Sequence, residues 1–181
     1  FLFHFPKFYF TKLQQTNYMQ FRNAVLEDLP LIVEIYNSTI ASRMVTADTE
    51  PVSIADKLNW FNAHNNTTRP LWIVEDNHQI IGWVSYNNFY GRPAYDGTAE
   101  ISIYLQPSAR GKGYGKIILK HCIAACKELK IHSLLGFIFS HNEASMNLFK
   151  NAGFAEWGFL KDIAIMDENK YSLSILGLKI I

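Results

Sequence analysis

The chain has 181 residues, of which 49% are hydrophobic, 14% aromatic and 18% charged, and its formal net charge is +1. This length and composition predict one globular domain with a sizeable core, and they exclude an intrinsically disordered chain. The near-neutral charge gives no electrostatic reason to expect nucleic acid or an anionic membrane as a partner, and no apolar run reaches the roughly 20 residues that span a bilayer.

The first eighteen residues differ in composition from the rest of the chain. Residues 1–10 contain five phenylalanines together with His4, Pro6 and Lys7, but no small-residue cleavage site of the kind that ends a secretory signal. Met19 opens the first strand-like run. We therefore expect residues 1–18 to be an N-terminal extension outside the native core, and residues 19–181 to form a single domain.

The first half of that domain alternates between strand and helix patterns. Residues 20–24 predict a short strand, and residues 29–40 predict an amphipathic helix because apolar side chains recur at spacings of three and four. Ser53 is a plausible N-cap for a second helix that runs to about residue 64. Residues 71–75 and 79–86 predict two strands joined by a turn, and residues 87–97 predict a loop.

The second half places a glycine-rich loop between a strand and a helix. Residues 98–105 alternate between apolar and polar side chains, which predicts a strand, and residues 116–130 predict a helix. A buried strand at residues 133–139, a short helix at 142–151 and two strands at 154–165 and 171–180 follow. The pattern indicates a mixed α/β fold with a strand–loop–helix–strand unit at its centre.

The loop at residues 110–115 reads Arg-Gly-Lys-Gly-Tyr-Gly, and Glu100 is the one acidic residue of the preceding strand. Glycines leave backbone N–H groups accessible, and a helix that begins at such a loop attracts a pyrophosphate. The glycine spacing matches neither the dinucleotide nor the phosphate-loop pattern. A loop that only needs unusual backbone angles, with no ligand, is the structural alternative.

Arg110, Gly113 and Gly115 form an Arg-x-x-Gly-x-Gly pattern that opens a helix after an alternating strand. This combination resembles the acetyl-CoA site of the GNAT superfamily of N-acetyltransferases. A closer resemblance is to its phosphinothricin and methionine sulfone acetyltransferase branch, and it rests on residues 49–51, 91–95, 98–105, Asn142, Ser145 and 151–154. It implies a mixed, mostly antiparallel sheet, split at the central strand and flanked by helices on both faces.

The resemblance also implies roles for individual residues. The central strand is expected to bulge near Tyr104 and to separate from residues 133–139, so that acetyl-CoA enters the split and the amide of Tyr104 or Leu105 binds the thioester oxygen. The implied acetyl-CoA-binding residues are Ile103, Tyr104, Leu105, Arg110, Gly111, Lys112, Gly113, Tyr114, Gly115 and Asn142. Asn142 also suits a helix N-cap, and capping alone is the alternative for it.

Glu100 is the candidate base that removes the proton from the attacking amine, directly or through water. Its structural alternative is a strand carboxylate paired with a lysine or arginine. Arg92, with Tyr90 and Tyr95, is the candidate for binding the carboxylate of the acceptor, because a guanidinium pairs with a carboxylate through two hydrogen bonds. A merely solvated loop arginine is the alternative.

The function implied is acetyl transfer from acetyl-CoA to the primary amine of a small amino-acid-like acceptor, without a metal. A protein or peptide N-terminal acetyltransferase and a catalytically silent CoA-binding module are the alternatives. Residues 169–173 lack the Trp and Asp typical of the branch, so the identity of the acceptor stays open. Residues 116–130 contain no tyrosine that could protonate the leaving thiolate, so the general acid stays open as well.

Branch members are often homodimers, and the resemblance therefore implies a homodimer. Cys122 and Cys126 suit reduced core positions of a cytoplasmic protein.

Overall fold

A computed structural model describes residues 19–180, and the expectation for residues 1–18 lies outside them. The described chain contains seven strands and four α-helices. They are β1 (Met19–Asn23), α1 (Leu29–Ile40), α2 (Ile54–Asn62), β2 (Leu71–Asp76), β3 (Gln79–Asn88), β4 (Thr98–Leu105), α3 (Tyr114–Ala125), β5 (Ser133–Phe139), α4 (Glu143–Asn151), β6 (Ala155–Met166) and β7 (Asn169–Lys179). No helix within this range is long and apolar enough to cross a membrane.

All seven strands belong to one mixed sheet with the order β1-β2-β3-β4-β5-β7-β6. Every neighbouring pair is antiparallel except β4 and β5, which run parallel and are joined through α3. The predicted strand–loop–helix–strand unit is therefore the crossover at the centre of the sheet, and the predicted mixed, mostly antiparallel topology is confirmed.

The sheet is split between β4 and β5. Their backbones pair only from Thr98 opposite Ser133 to Glu100 opposite Leu135. Beyond these pairs, β4 stays with β3 as far as Leu105, whereas β5 follows β7 as far as Phe139. The two strands diverge from their paired ends, so a wedge opens between residues 101–105 and residues 136–139.

The prediction of a bulge in β4 near Tyr104 is wrong. Residues 99–105 of β4 keep an unbroken register with β3, from Ala99 opposite Asn88 to Leu105 opposite Gly82. Register shifts within residues 19–180 occur between β2 and β3 and between β6 and β7 instead. The wedge opens because β5 diverges with β7, and β4 needs no extra residue to produce it.

Helices cover both faces of the sheet, as predicted. On one face α1 contributes Ile32, Ile35 and Tyr36 to a core that includes Trp83 of β3. On the other face α3 and α4 pack Ile118 and other apolar side chains on Ala99 and Ile101 of β4. The alternation of β4 thus directs Glu100, Ser102 and Tyr104 toward the α1 side of the sheet.

Candidate active site

A cleft of about 490 Å³ occupies the wedge between β4 and β5. Its walls come from residues 100–105 of β4 and 136–139 of β5, and Tyr36 and Thr39 of α1 line it as well. Arg110 and Gly115 of the glycine-rich loop, together with Asn142 at the start of α4, lie at its border. The residues singled out from the glycine loop, the central strand and α4 therefore meet around one space.

The glycine-rich loop presents bare backbone at one end of the cleft. Gly111 and Gly113 have φ angles of 74° and 83°, which L side chains rarely adopt, and Gly113 is the N-cap of α3. The amides of residues 111–115 donate no hydrogen bond to another group within residues 19–180. These N–H groups at a helix N-terminus are free to bind an anion such as a pyrophosphate.

The side chains of the loop have separate structural contacts. Arg110 donates from Nε to the carbonyl oxygen of Leu105 at 3.1 Å and from Nη2 to Oγ of Ser38 at 2.6 Å, which ties the loop to β4 and α1. The Tyr114 hydroxyl donates to Asp76 at 2.6 Å, so the ring anchors α3 to β2. Lys112 is exposed. The loop is fixed by its side chains while its amides remain accessible.

Alternate amides of β4 face the wedge. The backbone N–H of Gln106 donates to Ile81 at 2.9 Å, and in an antiparallel ladder every second residue points the same way. Tyr104 therefore directs its N–H toward β3, whereas Ile103 and Leu105 direct theirs toward β5, which has already diverged. Of the two amides expected to bind the thioester oxygen, this geometry favours Leu105.

Glu100 lies where the last paired residues of β4 and β5 meet, at the narrow end of the cleft. Burial raises the pKa of its carboxyl above the ordinary value of 4.5, because the charged form loses hydration. No salt bridge or hydrogen bond of this carboxyl occurs among residues 19–180. The ion pair considered as its structural alternative is therefore not found there, and the carboxylate is free to accept a proton.

Asn142 is buried and both ends of its amide are engaged. Its Oδ1 accepts from the backbone N–H of Ser145 at 3.1 Å, which confirms the predicted N-cap, and its Nδ2 donates to the carbonyl oxygen of Met44 at 2.9 Å. The side chain also borders the cleft. Direct contact between Asn142 and acetyl-CoA stays a prediction.

A model of the Acetyltransferase (GNAT) family matches residues 32–154, which include the split strand, the glycine-rich loop and α4. The chain belongs to the GNAT family. It is 51% identical over 160 residues to "Putative phosphinothricin acetyltransferase YwnH" of Bacillus subtilis, covering 88% of this chain and 98% of that protein. It is 31% identical over 134 residues to the L-methionine sulfoximine/L-methionine sulfone acetyltransferase of Pseudomonas paraeruginosa, covering 74% and 78%.

Solved GNAT structures share this fold. The phosphinothricin acetyltransferase of Sinorhizobium meliloti, crystallised in complex with acetyl-CoA, superposes with a TM-score of 0.82 at 28% identity, covering 90% of this chain and 88% of that chain. The protein is therefore an acetyl-CoA-dependent N-acetyltransferase of the GNAT family, similar to the phosphinothricin acetyltransferases. Its bare amides and its open wedge fit acetyl-CoA as the co-substrate. Among the described residues, no cluster of three or more metal-ligating side chains occurs.

One segment that lines the cleft was not predicted from the sequence. Residues 44–47, in the segment between α1 and α2, also line the cleft. Arg43 fixes this segment to the β6–β7 turn through two hydrogen bonds to Asp167, at 2.7 and 3.0 Å, and the Asn142 side chain binds the carbonyl oxygen of Met44. We name residues 43–48 the roof segment. Its contacts join residues up to 124 positions apart, which no local pattern signals.

The predicted acceptor-binding residues lie outside the lining of the cleft. Tyr90 is 79% exposed, and Arg92 and Tyr95 are also exposed on the loop that leads into β4. Arg69 Nη2 holds the end of this loop by donating hydrogen bonds to the carbonyl oxygens of Asp96 and Thr98, at 2.6 and 3.2 Å. The loop thus ends beside the Glu100 end of β4, and its binding of the acceptor stays a prediction.

A second hollow of about 150 Å³ adjoins the cleft on the α1 side of the sheet, and we name it the side chamber. It shares Tyr36, Ser102 and Tyr104 with the cleft. Trp60 and Trp83 line it together with Lys57. The strand alternation predicted that Ser102 and Tyr104 share a face with Glu100, but only the tertiary structure brings α2 over them.

Proposed function

We propose that the protein transfers the acetyl group of acetyl-CoA to the primary amine of a small amino-acid-like acceptor, by direct attack of that amine on the thioester. The relatives support a small acceptor, since their names specify phosphinothricin, methionine sulfoximine and methionine sulfone. The single observation that carries the mechanism is the unpaired, half-buried carboxylate of Glu100 at the narrow end of the acetyl-CoA cleft.

Glu100 supplies the base in this mechanism. A protonated amine cannot attack, because it has no free electron pair, so a group in the cleft must first take its proton. Burial raises the pKa of Glu100 and makes it a better proton acceptor than an exposed carboxylate. A positioned base of this kind contributes about 10²- to 10⁴-fold to the rate.

Backbone groups of the chain stabilise the charge that develops on the thioester oxygen. As the new N–C bond forms, negative charge collects on that oxygen, and the amide of Leu105 faces the wedge where it develops. The C–S bond then breaks and the CoA thiolate leaves. The Tyr114 hydroxyl donates a hydrogen bond to Asp76, and Tyr114 is not among the residues that line the cleft, so we assign protonation of the thiolate to water.

Arg92 is our candidate for the carboxylate of the acceptor, with Tyr90 and Tyr95 beside it. Its guanidinium has no hydrogen-bond or ion-pair partner among residues 19–180, and its loop leads into the Glu100 end of β4. A bidentate pair with the carboxylate would hold the α-amine of an amino acid near the base.

We also propose that the protein is a homodimer in solution. The edge strand β6 exposes Trp157, Phe159, Leu160, Ile163 and Ile165, each at least 40% accessible. Within residues 19–180, β6 pairs only with β7, and large apolar side chains exposed along such an edge strand form a surface that a second copy can cover. No nucleic acid or membrane is part of this proposal, and a cytoplasmic location stays a prediction.

A thiol-release assay tests the function. The purified protein is given acetyl-CoA with single L-amino acids, with methionine sulfone, methionine sulfoximine and phosphinothricin, and with an alanine-initiated peptide. We expect a free amino-acid-like acceptor to give a kcat/KM at least tenfold above that of the peptide. Preference for the peptide would support the N-terminal acetyltransferase instead, and binding of CoA with no thiol release for any amine would support the silent module.

A further inference from the structure

A line of hydrogen-bonded hydroxyl groups connects the cleft with the outside of the roof segment. The Tyr36 hydroxyl lies 2.5 Å from Oγ1 of Thr46 and 2.5 Å from Oδ2 of Asp48. The Thr46 hydroxyl also interacts with that of Tyr104. Tyr104, Thr46 and Tyr36 line the cleft, whereas the Asp48 side chain is 43% exposed. We name these three hydroxyls, with the carboxylate at their outer end, the hydroxyl chain.

The carboxylate fixes the direction in which the chain donates. An ionised carboxylate only accepts hydrogen bonds, so Tyr36 donates its single hydroxyl hydrogen to Asp48. The Tyr36 oxygen therefore accepts from Thr46. The Thr46 oxygen accepts from the backbone N–H of Asp48 at 3.2 Å and keeps a second lone pair for the Tyr104 hydroxyl. Each hydrogen thus points from the cleft toward Asp48.

Burial keeps the two tyrosines of the chain protonated. Thr46 and Tyr36 are only 7% and 9% exposed. Burial raises the pKa of Tyr36 to about 12, and it raises the pKa of Tyr104 as well. Neither tyrosine gives up a proton at neutral pH unless it receives another one. A chain that donates in one direction meets this condition, because each oxygen takes a proton from behind as it passes its own forward.

Asp48 ends the chain at a charged and solvated position. The Nζ of Lys57 lies 3.9 Å from its Oδ2 and 4.1 Å from the ring centroid of Tyr36, so one ammonium on α2 faces both groups. The charge of Glu100 acts on Tyr104 at the other end of the chain. Because the Asp48 side chain is partly exposed, a proton that reaches it can pass directly to water.

The side chamber lies between Glu100 and the inner end of the chain. Glu100, Ser102 and Tyr104 share one face of β4, and neighbours on one face are about 6.6 Å apart, so Glu100 and Tyr104 need a bridge. The chamber is lined by Ser102, Ser85 and Asn87, and its volume of about 150 Å³ accommodates several water molecules. Water in this polar space can connect the carboxylate with Tyr104.

The reaction has a proton to release. When an ammonium group is acetylated, its nitrogen loses two protons as the N–C bond forms and the C–S bond breaks. The leaving thiolate gains one proton through water, and the other must leave the cleft. We propose that the hydroxyl chain carries this second proton from Glu100, through water in the side chamber, to Asp48 and the solvent. This inference rests on the proposed direct attack by the amine, and it adds the route that returns Glu100 to its charged form.

Substitutions along the chain test this route. Tyr36→Phe removes the middle hydroxyl and keeps the ring, Asp48→Ala removes the outer end, and Thr46→Val removes a hydroxyl at nearly constant volume. Thr46→Ser keeps that hydroxyl and serves as the conservative variant. Thr67→Val is the matched control, because Thr67 is exposed and its hydroxyl bonds Asn65 outside the cleft lining. For each protein, the kcat is measured by thiol release in H₂O and D₂O, with and without formate, and calorimetry gives the Kd for acetyl-CoA.

We expect kcat to fall about tenfold in Tyr36→Phe, Thr46→Val and Asp48→Ala, less than on loss of the base, because water still carries protons slowly. The solvent isotope effect on kcat should rise in these three variants, since proton release then limits the rate. Formate can occupy the space of the missing carboxylate, so it should restore kcat in Asp48→Ala but not in Tyr36→Phe. Thr46→Ser should recover most of what Thr46→Val loses, and Thr67→Val should match the wild type.

Unchanged kcat in Tyr36→Phe and Asp48→Ala would overturn the proposal. A higher Kd for acetyl-CoA, with an unchanged isotope effect and no rescue by formate, would also overturn it, because a chain that only fixes the roof segment gives that result. If Tyr36→Phe does not fold, Asp48→Ala and its response to formate decide.

Failure of the proposed function is a separate outcome, seen when the wild type acetylates no amine. The variants are then compared in the hydrolysis of acetyl-CoA, which also releases one proton for each thioester cleaved. Equal thiol release by the wild type and the variants, including none at all, would contradict the hydroxyl chain as a proton route.

Discussion

At the scale of single residues, the proposed pyrophosphate site depends on the missing side chains of Gly111 and Gly113. Both adopt positive φ angles, and a Cβ built on either meets no atom within 4 Å. Steric crowding therefore does not explain these glycines, whereas backbone conformation does. Gly115 differs, because a Cβ there would lie 3.1 Å from Leu148 beside the cleft.

Gly113→Ala should separate strain from function. We expect the free energy of unfolding to fall by about 1 kcal/mol, because a side chain in the left-handed region is strained, and the Kd for acetyl-CoA to rise at least several-fold as the loop amides shift. Chemical denaturation and calorimetric titration measure the two effects. Gly153→Ala, at a φ of 96° beyond α4, is the control and should lose stability while keeping the Kd.

Glu100 should destabilise the free protein at neutral pH. Its pKa is raised in the folded state, so the folded state holds the proton more tightly than the unfolded one, and stability falls as the pH rises through that window. Glu100→Gln should therefore melt at a higher temperature than the wild type at pH 7. The gap should close as the pH is lowered below 4.5. A gap that does not vary with pH, or one shared by the exposed Glu128→Gln, would contradict this.

The roof segment and the β6–β7 turn act together at the scale of elements. Two hydrogen bonds join Arg43 to Asp167, whose carboxylate is 59% exposed, and the guanidinium lowers the pKa of that carboxyl. An exposed ion pair contributes little to global stability, because water and salt screen the attraction between its charges. Its effect should instead be local, on the residues that cover the cleft.

Asp167→Asn tests that local effect. We expect the amides of residues 44–47 to exchange hydrogen faster and the KM for acetyl-CoA to rise a few-fold, with the melting temperature almost unchanged. Hydrogen exchange with mass spectrometry and steady-state kinetics measure the two. Glu168→Gln removes a charge from the next residue and should change neither, and equal exchange in both variants would show that the pair does not hold the roof.

The elements show which features a sequence can predict. Helix α1 lies at residues 29–40 and β4 at residues 98–105, as their periodic patterns predicted, and the loop that opens α3 was recognised by its glycines. The bulge was not borne out, because the course of β5 depends on its pairing with β7, which is distant in sequence. The roof segment and the side chamber arise from contacts between elements, for which the chain has no local signal.

At the scale of the whole molecule, the exposed apolar side chains of β6 should decide the oligomeric state. Ile165 is 67% accessible and lies on the sheet edge, so Ile165→Glu should convert the proposed dimer to a monomer by placing a charge in its apolar interface. Sedimentation velocity measures the mass. Ile117→Glu, at a similarly exposed isoleucine on α3, should leave the dimer intact. A wild-type monomer at every concentration would contradict the proposal.

The whole fold brings a free carboxylate to the point where the sheet splits, and the pH dependence of kcat/KM for the amine tests that arrangement most directly. We expect the wild-type rate to rise with pH through an acidic limb above pH 4.5, set by Glu100 with its raised pKa. Glu100→Gln should lose about 10²- to 10⁴-fold in kcat and lose that limb, while its Kd for acetyl-CoA stays at the wild-type value. Undiminished turnover with the limb still present would contradict the account.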